Sequence, residues 1–227
     1  MVKAILFDFG GTLDSDGVHW VDQLRAAYEA AGLSPDPATF NPAFFESDRR
    51  ILAERDMRGK TLLDLVAIQV DLIHGMLGLG SDAGKAGVVR AFEAEAGRVL
   101  RRNREILARL ARRFRLGVVS NFCGNLDVIC RDYGLAECLA VVVDSFVVGV
   151  EKPDPAIFRL ALEGIGAEAE EALFVGDNPD RDIRPAKALG MGTVWLRGTG
   201  GPGGPGDPSP PEADRTVRSL TELEDAL

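Results

Sequence analysis

The feature that most constrains the fold is the run Ala4, Ile5, Leu6, Phe7, which delivers Asp8 and then breaks into Gly10, Gly11 and Thr12. An unbroken apolar run this short suits a strand buried on both faces of a parallel sheet, and the glycines mark a sharp exit from its end. Asp8 is therefore expected at the carboxyl edge of the sheet, where open α/β folds place their ligands.

Short apolar stretches recur at residues 116–120, 140–150, 173–175 and 192–196, and helical patterns fall between them at 126–133, 155–165 and 185–189. Alternation of this kind predicts an α/β fold, a Rossmann-like parallel sheet core flanked by helices with right-handed crossovers. Between the first two strands the spacing predicts helices over 19–31, 42–57, 60–77 and 82–97, with a proline-bearing loop at 33–42. These are expected to form a helical insert beside the sheet. Residues 98–115 are rich in arginine, yet Ile106, Leu107, Leu110, Ala111 and Phe114 recur at i, i+3, i+4, so the expectation is an amphipathic helix with its arginines in solvent. Residues 198–211, dominated by Gly and Pro, read as a surface loop; Ser219 and Glu222 have capping-box spacing on a last helix.

A formal net charge of −9 argues against nucleic acid or an anionic membrane as partner, and the 46% hydrophobic content is that of a globular chain. No apolar run has the roughly 18 residues of a spanning helix, and the first residues lack the layout of a secretory signal, so the expected location is cytoplasmic. Cys123, Cys130 and Cys138 form no C-x-x-C pair and are read as free thiols, with Cys123 close to one of the strand-end motifs.

Four predicted strands end in polar residues: Asp8, Ser120 with Asn121, Lys152 just past the third, and Asp177 with Asp182. Side by side in one parallel sheet, these ends share a crevice. Carboxylates crowded there repel, and they coexist by raised pKa values or by sharing a cation; Mg²⁺ suits an all-oxygen site. Each feature alone reads more readily as a turn, a cap or a surface residue than as part of a site, but turns do not explain their order at successive strand exits.

The motifs Asp8-Phe9-Gly10-Gly11-Thr12-Leu13, Val118-Val119-Ser120-Asn121, Glu151-Lys152-Pro153-Asp154-Pro155 and Val175-Gly176-Asp177-Asn178-Pro179-Asp180-Arg181-Asp182 resemble the four ordered motifs of the haloacid dehalogenase superfamily of hydrolases. The resemblance implies a catalytic core of residues 1–15 and 99–227, with residues 16–98 as a helical cap domain inserted after the first strand. It further implies that Asp8 is a nucleophile forming an aspartyl intermediate, that Ser120 holds the phosphoryl group, and that Lys152 balances charge. Gly11, Thr12 and Asn121 would bind substrate, and Mg²⁺ would be held by Asp8, the Gly10 carbonyl, Asp177 and Asp182. The partner implied is a small phosphorylated substrate, acted on by a monomer or homodimer.

One position departs from the pattern. Phosphatases of this superfamily usually carry a second Asp two residues after the nucleophile as general acid and base, where this chain has Gly10. Asp14, Asp16 and His19 are nearby in sequence as stand-ins. The expectation is a Mg²⁺-dependent phosphatase favouring activated leaving groups. The alternatives are phosphonate cleavage, with Lys60 or Lys85 as Schiff-base lysine, dehalogenation, or phosphate-ligand binding with weak or no turnover.

Overall fold

The computed structural model describes residues 1–79, 82–198, 210 and 212–227. Six strands form one sheet: β1 (Ala4–Phe7), β2 (Arg115–Ser120), β3 (Leu139–Asp144), β4 (Ala172–Gly176), β5 (Gly192–Leu196) and β6 (Arg215–Val217). Their order is β3-β2-β1-β4-β5-β6 and every pairing is parallel. The chain fills the sheet outward from β1 on one side and then returns to β4 on the other. The topological switch point thus lies at the carboxyl end of β1, the position where such sheets open a crevice.

β1 shows why the opening run is apolar throughout. Ile5 and Phe7 pack into a cluster with the helices on one face, while Ala4 and Leu6 pack on the other face with Ile157, Phe158 and Ala186. All four strand residues are fully buried. Burying a Leu, Ile or Phe side chain of this kind contributes about 1.5–3 kcal/mol. Phe7 stands level with Val118 on β2 and Val175 on β4, so residues 8, 120 and 177 leave the sheet at one edge.

Between β1 and β2 run α1 (Trp20–Ala30), α2 (Pro37–Glu54), α3 (Leu62–Leu77) and α4 (Asp82–Leu110). α2 begins inside the expected loop, because Pro37 occupies its first turn and the Asp36 carboxylate accepts from the Ala38 N–H at 3.1 Å. α4 is continuous across residue 98, where two helices were expected. Val88, Phe92, Ala96, Leu100, Ile106, Leu107 and Leu110 lie on one buried stripe in a single phase, and this outweighs the roughly 1 kcal/mol helix penalty of Gly97. Its arginines face outward in ion pairs: Arg104 with Glu137 at 3.0 Å and Arg109 with Glu224 at 2.6 Å.

Downstream lie α5 (Leu126–Asp132), α6 (Ser145–Val148), α7 (Pro155–Ile165) and α8 (Arg184–Ala188). The expected strand 140–150 stops at Asp144, whose carboxylate accepts from the Phe146 N–H at 3.0 Å and caps α6. A polar cap within an apolar run thus ends the strand early. Near the C-terminus a single turn, Leu220–Glu222, stands where a longer helix was expected. Ser219 Oγ accepts from Thr221 N, while Glu222 accepts from Arg218 N, so the reciprocal box does not close. The expected loop 198–211 lies, apart from residues 198 and 210, outside the described residues. No described helix is long and apolar enough to cross a membrane.

Candidate active site

Asp8 leaves β1 with its N–H donating to the Val175 carbonyl at 2.9 Å, so the sheet itself fixes the start of the site. Its Oδ1 accepts from Ser120 Oγ at 2.8 Å and from Lys152 Nζ at 2.8 Å. Lys152 Nζ also lies 2.6 Å from Asp182 Oδ1, and Asp182 Oδ2 accepts from the Asn178 N–H at 3.0 Å. Asn121 secures the lysine's backbone: its Nδ2 donates to the Lys152 carbonyl at 2.9 Å and its Oδ1 accepts from the Lys152 N–H at 2.7 Å. The sequence-expected Asp8, Ser120, Asn121, Lys152, Asp177 and Asp182 are therefore gathered at one sheet edge.

Burial works against the Lys152 ammonium, but the charges of Asp182 and Asp8 outweigh it and raise its pKa. Asp182 is raised to about 6 by burial, despite the lysine's opposing charge. Asp177 is raised well above the carboxylate range, first by burial and then by the charges of Asp182 and Asp8. Asp8, Asp177 and Asp182 each offer an oxygen within 4.8 Å of the others. Hard oxygen donors this close, with mutual repulsion that a cation relieves, fit a divalent ion such as Mg²⁺.

The turn after Asp8 shapes this cluster from below. Gly11 adopts φ +87°, and its N–H donates to Asp14 Oδ1 at 2.8 Å. Thr12 Oγ1 lies 3.5 Å from Asp177 Oδ1, and both Gly11 and Thr12 are buried behind the carboxylates rather than lining the cavity. Gly10 lines it, and a Cβ there would approach the Trp20 indole nitrogen at 3.4 Å. That nitrogen donates to Asp14 Oδ2.

The nearby residues considered as proton-transfer groups have separate positions. Asp14 is buried as the brace between Gly11 and Trp20 and does not line the cavity. Asp16 pairs with Arg102 at 2.6 Å and accepts from Ser219 and Leu220. His19 does line the cavity, but its Nδ1 accepts from the Val21 N–H at 3.3 Å as the N-cap of α1. Burial lowers its pKa, and the Arg181 charge adds to this against the pull of Asp22 and Asp8. Lys60 and Lys85 lie outside the cavity lining, Lys85 paired with Asp71, and Arg49 and Arg50 pair with Glu46 at 2.7 and 2.8 Å. Cys123 lines the cavity, but burial pushes its thiol up to about 12, which leaves it unreactive as a nucleophile near neutrality.

The cavity has a volume of about 800 Å³ and runs from the carboxylates to the α2 and α3 side. Trp20 forms part of its wall, together with Asp48 and Arg181, which sequence reasoning did not assign to the site. A polar residue on an amphipathic helix reads as solvent-facing unless the packing partner is known; only the Asp-x-x-x-x-Asp stretch around Arg181 carried a usable signal.

A parallel sheet with carboxylates, a serine and a buried lysine converging at its switch point defines a Rossmann-like α/β protein with a polar strand-end crevice. The chain belongs to the haloacid dehalogenase-like hydrolases, whose family model matches residues 2–190. It is 48% identical over 63 residues to a phosphoserine phosphatase of Thermus thermophilus, covering 28% of this chain and 25% of that protein. It is 41% identical over 85 residues to a phosphoglycolate phosphatase of Rhodospirillum rubrum, covering 37% and 35%. The matched stretches thus span about a quarter to a third of these relatives. Over 99% of this chain and 97% of the other, it superposes with a TM-score of 0.54 and 27% identity on a 2-haloacid dehalogenase from Pseudomonas syringae.

Proposed function

We propose that the protein is a Mg²⁺-dependent phosphatase that transfers the phosphoryl group of a small phosphorylated metabolite to Asp8 and then to water. The observation that carries this reading is the position of Asp8 Oδ1, held by Ser120 and Lys152 beside the Asp177 and Asp182 carboxylates. A dehalogenase reading, suggested by the structural neighbour, leaves that acidic cluster without a task. The relatives named as phosphatases favour phosphoryl transfer.

Asp8, the Gly10 carbonyl, Asp177 and Asp182 would hold the cation, which supplies Lewis-acid stabilisation of phosphoryl charge. An Asp8 oxygen attacks phosphorus, the P–O bond to the leaving group breaks, and an aspartyl phosphate results. Water then attacks phosphorus, the bond to Asp8 breaks, and inorganic phosphate leaves. Lys152 and Ser120 orient Asp8 and offset charge on the transferring group, and Asn121 keeps Lys152 at that height. Gly11 and Thr12 serve the substrate indirectly by setting Asp177. Gly10 offers no acid for the departing oxygen, so leaving groups that are stable as anions react best. Residues 16–98 act as the cap over a core of 1–15 and 99–227, with α4 crossing the junction as one continuous helix.

The test is phosphate release from p-nitrophenyl phosphate with and without Mg²⁺. Expected are activity that chelator removes and an Asp8→Asn protein that is inactive. Release that persists in excess chelator, or in Asp8→Asn, overturns the reading. A second reading, a phosphate-ligand receptor with negligible turnover, is favoured specifically by the glycine at position 10.

A further inference from the structure

The wall contributed by α2 and α3 carries a polar arrangement that phosphoryl transfer does not use. Asp48 lines the cavity on α2 among Phe44, Ile51 and Leu65. Its Oδ1 accepts from the Gln69 side chain at 2.5 Å; Gln69 also donates to Ser47 Oγ at 3.3 Å, and Ser47 donates to the Phe44 carbonyl at 2.6 Å. Gln69 and Ser47 are buried in an otherwise apolar helix interface, at 1% and 0% exposure. Buried amide and hydroxyl groups are costly, and the hydrogen bonds that satisfy them here hold one carboxyl in a fixed place. The second oxygen of Asp48 has no hydrogen-bond or ion-pair partner among the described residues.

Arg181 lines the same cavity from the turn after β4 and, among the described residues, forms no side-chain ion pair. Burial raises the Asp48 carboxyl to about 7, against the Gln69 hydrogen bond and the charge of Arg181. Asp48 comes from α2 and Arg181 from the turn after β4, and neither side chain joins the hydrogen-bond network of Asp8, Ser120 and Lys152. An acidic and a basic side chain thus line one cavity, from α2 and from the turn after β4, without a direct ion pair between them among the described residues and beside apolar side chains that strengthen charge pairing.

We infer that this pair of side chains reads a zwitterionic head, with the Asp48 carboxylate taking an ammonium group and the Arg181 guanidinium a carboxylate, so that the substrate class is the phosphomonoester of a hydroxy amino acid. The assignment rests on the phosphatase reading for the phosphoryl end only. A head with a carboxylate alone would face Asp48 and Glu151, both on the cavity wall, without a cation of its own. A neutral head would leave Asp48 and Arg181 desolvated and unpaired.

The experiment measures calorimetric binding to the Asp8→Asn protein in Mg²⁺, with O-phospho-L-serine, phosphoethanolamine and glycerol 3-phosphate as probes. Phosphoserine is expected to bind more tightly than glycerol 3-phosphate by on the order of tenfold or more. Adding Asp48→Asn should reduce the preference for phosphoserine and for phosphoethanolamine over glycerol 3-phosphate. Adding Arg181→Gln should reduce the preference for phosphoserine alone. Because each result is a ratio within one protein, loss of folded material does not imitate it. Equal binding of the three probes overturns the proposal, as does proportionate weakening of all three by either substitution, the behaviour of a latch that only draws the helices to the sheet. Hydrolysis of p-nitrophenyl phosphate by the unsubstituted protein separates the two readings. A zwitterion preference without turnover removes the phosphatase and keeps the Asp48 and Arg181 site, and turnover without preference does the reverse.

Discussion

Gly11 and Asp177 approach so closely that a Cβ on Gly11 would lie 2.4 Å from a carboxylate oxygen of Asp177. The residue that turns the chain off β1 and the residue that leaves β4 are therefore one steric unit, and the place of the carboxylate depends on the missing side chain. Gly11 also needs its φ of +87°, which an L side chain rarely adopts.

Gly11→Ala should accordingly act on cation binding more than on the fold. The left-handed backbone costs an alanine roughly 1–2 kcal/mol, and the methyl group displaces Asp177. The half-saturating Mg²⁺ concentration for phosphate release is expected to rise by about 10- to 100-fold, the range typical for disturbing a metal ligand's support. A titration with an unchanged Mg²⁺ midpoint would show that Asp177 is not a ligand.

Gly10→Asp should change leaving-group selectivity. Gly10 has φ −71° and ψ 122°, open to any L residue, and its Cβ would meet Trp20 at 3.4 Å, an ordinary contact. A carboxyl here supplies the proton transfer that the glycine lacks, worth about 10²-fold or more on alkyl phosphates. Aryl phosphates, whose leaving groups need no proton, should gain much less. Parallel gains on both classes would mean that proton transfer is not what position 10 lacks.

Lys152→Met tests the charge balance. Lys152 is 3% exposed and lies between Asp8 and Asp182. Removing one partner of a buried ion pair costs about 3–5 kcal/mol, and loss of a preorganised charge at a reacting group lowers kcat by about 10²- to 10³-fold. Denaturant midpoints and kcat are read on the same preparation. A kcat close to that of the unsubstituted protein would place Lys152 outside the chemistry, whatever its structural weight.

What could be read from the chain alone followed from how local the controlling physics is. The run from Ala4 to Phe7 needs burial on both faces wherever it sits, and polar residues at parallel strand ends converge because the register of neighbouring strands aligns them. Asp48 was not legible: on its own helix it is one polar residue among many, and its place in the cavity depends on how α2 meets α3 and the sheet edge. The early end of β3 was hidden for the opposite reason. Asp144 stops the strand by a local cap, yet Phe146, Val147 and Val148 continue the apolar pattern although all three are exposed. α4 was divided at an arginine-rich stretch, whereas the phase of its buried stripe runs through it.

The last prediction concerns pH. Asp14 is 1% exposed, and burial raises its pKa from the ordinary carboxylate value to about 7, against the hydrogen bonds from Trp20 and Gly11. The folded protein therefore holds this proton more tightly than the unfolded chain. Below about pH 4 both states are protonated and the contribution to stability is complete. Between about pH 4 and the folded value near 7 the unfolded chain ionises first, and stability falls by about 1.4 kcal/mol per pH unit, on the order of 4 kcal/mol in total. Asp14→Asn cannot titrate, so its unfolding free energy should lack this share of the decline, although the amide satisfies fewer of the donors around it and lowers stability at acidic pH. The measurement is urea unfolding of both proteins from pH 4 to 8. Curves that remain parallel across that interval would mean that Asp14 is already ionised in the folded protein and that the loop beneath Gly10 is built around a carboxylate, not a carboxylic acid.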